Sequence, residues 1–309
     1  MMQFAAGLDF NSRTTSSELN TFIDNHLQPT TEFNREMNET VDHICSFFRD
    51  HFRPSRIIKG GSLGKGTAIK GNCDIDLVLV LNEIQDAADL KRKLPGFQRQ
   101  IVEKLQHESK RFTVIGSIST NNFLVKFSVE LRHGNIDVDL LPTFRFTDLR
   151  GLYRKMKSDR EYEQYYSAAL AEQQVEFVRA CPANVKNLIR LVKYWKKQNV
   201  TSVYKREIPN SYVIELITIH LCEGSSGWFG TYDTLKAFHS VMEALENYRS
   251  LNVIWRKTNY SRDDIPKQIQ QERPLVMDPA NPMNNVCSIF EWEKTANAAR
   301  RVLGSPMMR

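Results

Sequence analysis

The chain has 309 residues, 41% apolar and 25% charged, a composition that excludes low-complexity disorder, a collagen-like repeat and a small disulfide scaffold. Its longest strictly aliphatic run, Leu77–Leu81, has five residues, far short of the ~20 a bilayer-spanning helix needs. Lysine and arginine outnumber aspartate and glutamate by 42 to 36, a formal charge of +6, which invites a polyanionic partner but serves solubility equally well.

In chain order, a first helix is expected from an N-cap near Ser17, with Leu19, Phe22, Ile23 and Leu27 at helical spacing and Pro29 as its stop. A second, longer helix carries Phe33, Met37, Val41, Ile44, Phe47, Phe48 and Phe52 as one wide apolar stripe. Ser55–Lys59 reads as a short strand that breaks into Gly60-Gly61, and Asp74–Leu81 as a buried strand with a polar start. A helical stretch over Ile84–Glu108 is interrupted at Pro95-Gly96, and Arg111–Ser119, Phe123–Leu131 and Ile136–Leu141 read as strands. Beyond about residue 145 the pattern turns helical, over Tyr162–Arg179, Asn184–Lys197, Tyr212–Cys222 and Tyr232–Tyr248, with no strand pattern of comparable strength. The change of composition at Phe144–Asp148 divides the chain into residues 1–150 and 151–309. No internal repeat occurs.

The five cysteines, Cys45, Cys73, Cys181, Cys222 and Cys287, are odd in number, scattered, and form no Cys-x-x-Cys. That points to a reducing compartment with neither a disulfide framework nor structural zinc. No basic residue precedes Arg13 and no long apolar stretch opens the chain, so a secretory signal is not expected and the cytoplasm, or the nucleus, is.

Three features carry chemistry. Residues 59–67 read Lys-Gly-Gly-Ser-Leu-Gly-Lys-Gly-Thr directly after a strand. Glycines there let backbone N–H groups approach an anion, with the Ser62 hydroxyl as a further donor; a plain surface turn is the competing reading. The spacing is not that of a Walker A loop. Eight residues after the last of these glycines come Asp74 and Asp76, which in a strand project to one face, where their repulsion suits a divalent cation. A later strand, Ile136-Asp-Val-Asp-Leu-Leu-Pro142, adds Asp137 and Asp139. A phosphate-binding turn, an acidic strand and a distal acidic strand, in that order, fit two-metal nucleotidyl transfer.

These residues resemble the polymerase-β-like nucleotidyltransferases, and the 2′-5′-oligoadenylate synthetases in particular. The likeness rests on Lys59–Thr67 and on Gly71-Asn-Cys-Asp-Ile-Asp-Leu-Val78. It extends to Leu188-Ile-Arg-Leu-Val-Lys-Tyr-Trp195, Pro209-Asn-Ser-Tyr-Val-Ile-Glu-Leu216 and Arg273-Pro-Leu-Val-Met-Asp-Pro-Ala-Asn-Pro282. The resemblance implies an α+β fold in two lobes: a mixed β-sheet lobe with a long N-terminal helix, and a C-terminal helical bundle around a shared cleft. It implies Asp74, Asp76 and Asp139 as the metal-binding catalytic triad for two Mg²⁺ ions, with Mn²⁺ as a substitute; the Leu-Leu-Pro after Asp139 selects it over Asp137. It further implies Gly61, Ser62, Arg190, Lys193, Ser211 and Tyr212 as nucleotide contacts, with Arg190 and Lys193 on phosphates and Tyr212 stacked on a base.

The same resemblance implies activation by double-stranded RNA in preference to DNA, through Lys59 and Arg179, with Arg53, Arg56 and Lys186 adding charge nearby. A-form RNA is read through phosphates and 2′-hydroxyls, which basic side chains suit. Several positions depart from the family pattern. Pro182-Ala-Asn184 replaces a Pro-Thr-Lys, Ser211 stands where the family has a nucleotide-contacting Gln, and a C-terminal Cys-Phe-Lys oligomerisation motif is absent. The His/Cys zinc cluster of cyclic GMP-AMP synthase is absent too. The implied function is an RNA-activated enzyme of innate immune, antiviral signalling that polymerises ATP, and possible other nucleoside triphosphates, into 2′-5′-oligoadenylates with release of pyrophosphate. A cyclic-dinucleotide synthase of the cyclic-GMP-AMP-synthase-like receptors and a catalytically inactive RNA-binding relative are the alternatives.

Overall fold

The computed structural model describes residues 7–71, 73–202, 207–224 and 233–308. Helix α1 (Ser16–Phe22) is capped by Thr15, two residues before the expected Ser17, in a capping box: the Thr15 hydroxyl accepts from the Glu18 N–H while the Glu18 carboxylate accepts from the Thr15 N–H. A π-helical turn, Ile23–Leu27, carries the chain to Gln28, just short of Pro29. Helix α2 (Thr31–Phe52) buries Met37, Val41, Ile44, Phe47 and Phe48 on one face. Then come β1 (Arg56–Lys59), the short helix α3 (Gly61–Lys65), β2 (Ile75–Leu81) and α4 (Ala87–Glu108). Strands β3 (Val114–Thr120), β4 (Val125–Leu131) and β5 (Gly134–Phe144) follow.

The five strands form one sheet in the order β1-β2-β5-β4-β3, with β2 and β5 parallel and the other pairs antiparallel. The mixed sheet follows from connection lengths: the β1–β2 and β3–β4–β5 links turn back, whereas reaching β5 beside β2 needs the long excursion through α4. The expected break at Pro95-Gly96 does not occur, for α4 runs through Pro95 unbroken. Its stripe of Leu90, Leu94, Gln98, Ile101 and Leu105 is buried, and that packing outweighs the one backbone hydrogen bond a proline deletes.

Helices α5 (Leu149–Ser158), α6 (Glu163–Ala169) and α7 (Ala171–Arg179) come next. Ala168 and Ala171 join a cluster with Ile58, Val78, Val80 and Leu141 of the sheet. The boundary expected at residue 150 therefore moves. The chain separates into one compact unit of Pro29–Gly66 and Asn72–Arg179, and a second made of the chain up to Gln28, Thr67–Gly71 and the chain from Ala180 on. Burial of α6 and α7 against the sheet, which a composition shift does not report, keeps them in the sheet unit, and α5 goes with them.

The second unit holds α8 (Ala183–Asn199), α9 (Ser211–Gly224), α10 (Thr234–Glu246), β6 (Asn252–Val253), α11 (Lys267–Gln271), β7 (Leu275–Asp278), β8 (Asn281–Asn285) and α12 (Trp292–Leu303). Beside its helices the second unit carries a three-stranded sheet, β6-β7-β8, which the helical reading of the second half does not include. Its strands have two to five residues, and β8 reads Asn-Pro-Met-Asn-Asn, so none shows the period-two alternation that marks a longer half-buried strand. Helix α10 begins at Thr234 behind the Asp233 cap; Tyr232, expected at its start, lies outside the described residues. Helix α1 belongs to this unit as well. Its Ser16 hydroxyl donates to Asp233 and the Thr234 hydroxyl to Asn20, while Phe22 packs on Tyr194 at 5.3 Å between centroids. Leu19, Ile23 and Leu27 are wholly buried. No helix among the described residues is long and apolar enough to cross a membrane.

Candidate active site

The site is built from the sheet unit outward. Strand β1 lies antiparallel to β2, and past its end the Gly60 N–H donates to the Asp76 carbonyl at 2.7 Å. The chain then turns into α3 with Gly61 at φ +53°; a Cβ there would stand 1.7 Å from Asp76 Oδ2. Only glycine permits both the left-handed backbone and the contact. A Cβ on Gly64 would likewise fall 2.1 Å from the Lys59 carbonyl oxygen. The glycines expected to form an open anion nest therefore make a single-turn helix pressed against a carboxylate, with Ser62 partly buried in it.

On β2, Asp76 stands in register with Asp139 of the parallel neighbour β5. Burial, then the negative charges of Asp139 and Asp74, push the Asp76 carboxyl up to about 6; Lys65 and Lys126 pull the other way. Asp74 precedes β2 and is exposed, and its charge acts on Asp76 from the same strand end, while the register pairs Asp76 with Asp139 across the sheet. Register also separates Asp139 from Asp137. Asp137 lies one pleat back, exposed, and accepts from the Ser128 hydroxyl at 2.5 Å. Asp139 is held from β4 by Lys126, its cross-strand partner, whose Nζ reaches the two carboxylate oxygens at 2.8 and 2.9 Å. That bond raises the Lys126 ammonium above the usual lysine value.

Among the described residues, no group of three or more His, Cys, Asp or Glu side chains gathers closely enough to hold a metal ion. The pair that is gathered nevertheless fits magnesium chemically. Asp76 and Asp139 offer hard oxygen donors from two rigid strands, their mutual repulsion is visible in the raised Asp76 carboxyl, and Mg²⁺ takes one or two carboxylates while keeping waters and substrate phosphates. A cavity of about 350 Å³ opens beside Gly60, Gly61, Lys65 and Asp76 and is walled by Val78, Leu90, Leu94, Leu141, Tyr165 and Val175. Its apolar walls and charged mouth suit a planar ring attached to an anionic group.

The four basic residues expected in an RNA face within this unit are engaged differently. Arg53 ends α2 with φ +42°, and Arg56 is ion-paired with Glu172. Lys59 pairs with Asp42 at 2.9 Å, and Arg179 donates to the Gly64 carbonyl at 2.9 Å. A second cavity, of about 410 Å³, lies between α2 and the α3 turn, with Asn34, Asn38, Lys59 and Arg179 over Met37, Leu63 and Ile75.

The remaining expected contacts belong to the second unit. Lys186, Arg190 and Lys193 are on α8, Ser211 and Tyr212 at the start of α9. Arg190 donates to the Ala68 carbonyl and to Asn187 at 2.9 and 2.8 Å. Lys193 is buried, with its ammonium 3.0 Å from the Thr67 carbonyl and 3.3 Å from Glu215, which also accepts from the Thr67 hydroxyl at 2.6 Å. The Tyr212 hydroxyl donates to Asp278 at 3.2 Å; burial above all, then that carboxylate, lifts the phenol well above its ordinary value. One turn beyond Lys193, burial lowers Lys196 to about 8 while its ammonium donates to the Pro209 carbonyl. Sequence reasoning overlooked Lys126, Glu215 and Asp278. The signal for Lys126 was present, since buried Val125, Phe127 and Val129 leave it on the opposite face of β4, but its partner depends on strand register.

A family model described as 2'-5'-oligoadenylate synthetase 1, domain 2, C-terminus, matches residues 147–309. The chain is similar to 2'-5'-oligoadenylate synthase 1A of Rattus norvegicus, 29% identical over 331 residues that span 95% of this chain and 91% of the relative. It is 30% identical to 2'-5'-oligoadenylate synthase 1A of Mus musculus over 319 residues, 91% of this chain and 85% of the relative. In fold it is similar to the E. coli MS115-1 CdnC + ATP structure, with a TM-score of 0.63, 19% identity, and coverage of 93% of this chain and 88% of that one. The Cid1 poly(U) polymerase bound to Mg 3'-dATP gives 0.59 and 13%, covering 94% and 91%.

Proposed function

From the premise that this chain belongs to the 2′-5′-oligoadenylate synthetase family, and so to the nucleotidyltransferase class, we propose that it is an RNA-activated enzyme of cytoplasmic antiviral defence. It joins ATP into 2′-5′-linked oligoadenylates. The observation that carries this reading is the Asp76–Asp139 pair, in register on adjacent parallel strands against the Gly60-Gly61 turn.

In this mechanism a ribose hydroxyl oxygen of one nucleotide bonds to the α-phosphorus of ATP as the bond to the β-phosphate oxygen breaks, releasing pyrophosphate. Asp76, Asp139 and Asp74 would hold magnesium, which when bound supplies charge neutralisation for the triphosphate and acidifies the attacking hydroxyl. Asp76, fixed by β2 beside Asp139 and the Gly60-Gly61 turn, would orient the attacking hydroxyl through the metal it helps to hold, and the proton leaves to solvent. The α3 turn brings backbone N–H groups and the Ser62 hydroxyl toward the phosphates. The cavity beside Asp76 has apolar walls that suit a nucleobase. Arg190, Lys193, Ser211 and Tyr212 are assigned to nucleotide contact by their family motif.

Activation is assigned to double-stranded RNA docking on Lys59, Arg179, Arg53, Arg56 and Lys186. RNA would act by moving α2 and the α3 turn, whose Gly61 presses on Asp76. The cavity between those two elements leaves room for that movement. The test is pyrophosphate release from ATP with and without long double-stranded RNA, in wild type and Asp76→Ala. Turnover that survives in Asp76→Ala overturns the mechanism.

A further inference from the structure

We propose that Lys126 is a built-in counter-ion of the acidic pair, an ammonium that occupies Asp139 in the empty site and that a divalent cation must displace. The inference rests on the two-carboxylate reading of the site.

Four observations carry it. Lys126 is the direct cross-strand partner of Asp139, so the β4–β5 ladder sets its backbone within side-chain reach of that carboxylate. Its ammonium bridges the two Asp139 oxygens, at 2.8 and 2.9 Å, and so covers the atoms a metal ion would use. The carboxylate is largely shielded, with 22% of its side chain exposed, while the lysine keeps 52%. A half-exposed lysine on a flexible stem can therefore swing away without disturbing the sheet. Finally, Asp74, Asp76 and Asp139 concentrate negative charge around the start of β2 in the middle of the sheet, and Lys126 feels the charges of Asp139, Asp74 and Asp137 together. An unliganded cluster of that kind repels itself, and one positive charge on it lowers the cost.

Two consequences follow. Metal entry is an exchange, so Lys126 weakens metal affinity by the strength of the ion pair it gives up plus the repulsion between ammonium and metal. The empty site is stabilised in return, so removing the lysine leaves Asp139 and Asp76 without their counter-charge.

The experiment titrates the full-length chain with Mn²⁺ alone, without nucleotide or RNA, following free Mn²⁺ by its electron paramagnetic resonance signal. Wild type, Lys126→Met and Lys126→Arg are compared, with Asp139→Asn as a background for the first substitution. Lys126→Met should tighten Mn²⁺ binding roughly fivefold, the scale of a partly exposed ion pair. Lys126→Arg, which keeps the charge, should stay near wild type. In the Asp139→Asn background the Lys126→Met effect should disappear. As a second readout, Lys126→Met should unfold at a lower temperature than wild type in chelator, and Mn²⁺ should restore it. Equal or weaker Mn²⁺ binding by Lys126→Met overturns the counter-ion role and leaves the two-carboxylate reading standing. Absence of Mn²⁺ binding in every variant overturns both.

Discussion

Replacing Asp76 by asparagine should stabilise the protein at neutral pH while abolishing its chemistry. The Asp76 carboxyl is raised from an ordinary 3.8 to about 6 by burial and by Asp139 and Asp74. A raised carboxyl binds its proton more tightly in the folded chain than in the unfolded one. Below about 4 both forms are protonated and the group is neutral toward stability; as pH rises from about 4 to about 6 the unfolded chain ionises first, and stability falls. The whole interval, at about 1.36 kcal/mol per pH unit, is worth about 3 kcal/mol, which sets the ceiling of the effect. Asparagine keeps the shape and carries no charge. In chelator, urea denaturation of Asp76→Asn against wild type should show a difference near zero at pH 4, growing to at most about 3 kcal/mol in favour of the variant at pH 8. Magnesium should stabilise wild type at pH 8 and leave the variant unmoved. A difference that does not change with pH, or a variant less stable than wild type at pH 8, would refute the claim that burial and the charges of Asp139 and Asp74 outweigh Lys65 and Lys126 at Asp76.

Gly61→Ala should cost about 2–4 kcal/mol of stability in thermal unfolding and remove nucleoside triphosphate turnover, because its Cβ would overlap Asp76 Oδ2 at 1.7 Å from a backbone at φ +53°; wild-type stability would contradict the close approach. Lys193→Met should destabilise by about 3–5 kcal/mol, since it strips the ion pair at 3.3 Å from Glu215, a side chain 2% exposed. The double variant with Glu215→Gln should recover much of that loss in the same denaturation assay. Lys59→Glu, at an exposed pair with Asp42, should change stability by less than about 1 kcal/mol. It should weaken double-stranded RNA binding and flatten its salt dependence in a filter-binding titration.

Most of the sheet unit was readable in advance because its signals are local. The stripe of α2, the apolar run of β2 and the alternation of β4 each lie within one element, and β2 and β5 announce their carboxylates by motif. What was not readable depended on partners distant in sequence. Pro95 signals a break, yet α4 continues through it with Leu90, Leu94 and Ile101 buried. The short strands β6–β8 owe their pairing to tertiary contact, with Asn285 supporting Val276 through a side-chain acceptor at 3.1 Å. Helix α1 and residues 67–71 cross into the second unit through Thr67–Glu215, the bond from the Lys70 N–H to the Leu27 carbonyl, and Ser16–Asp233, contacts that no composition profile contains. In the site itself, the i, i+2 rule drew attention to Asp74 with Asp76. The parallel β2–β5 register adds the pairing of Asp76 with Asp139, and the antiparallel β4–β5 register brings Lys126 to Asp139, a partner that no local rule reports.

The central claim is tested most directly by incubating the full-length chain with all four nucleoside triphosphates and Mg²⁺, with and without long double-stranded RNA, and resolving the products by mass after phosphatase treatment. The account predicts pyrophosphate and a ladder of adenylates that require ATP and RNA together, with 2′-5′ linkages identified by their resistance to a 3′-5′-specific nuclease. A single phosphatase-resistant cyclic dinucleotide, or RNA binding with no nucleotide consumed in either Mg²⁺ or Mn²⁺, would contradict it.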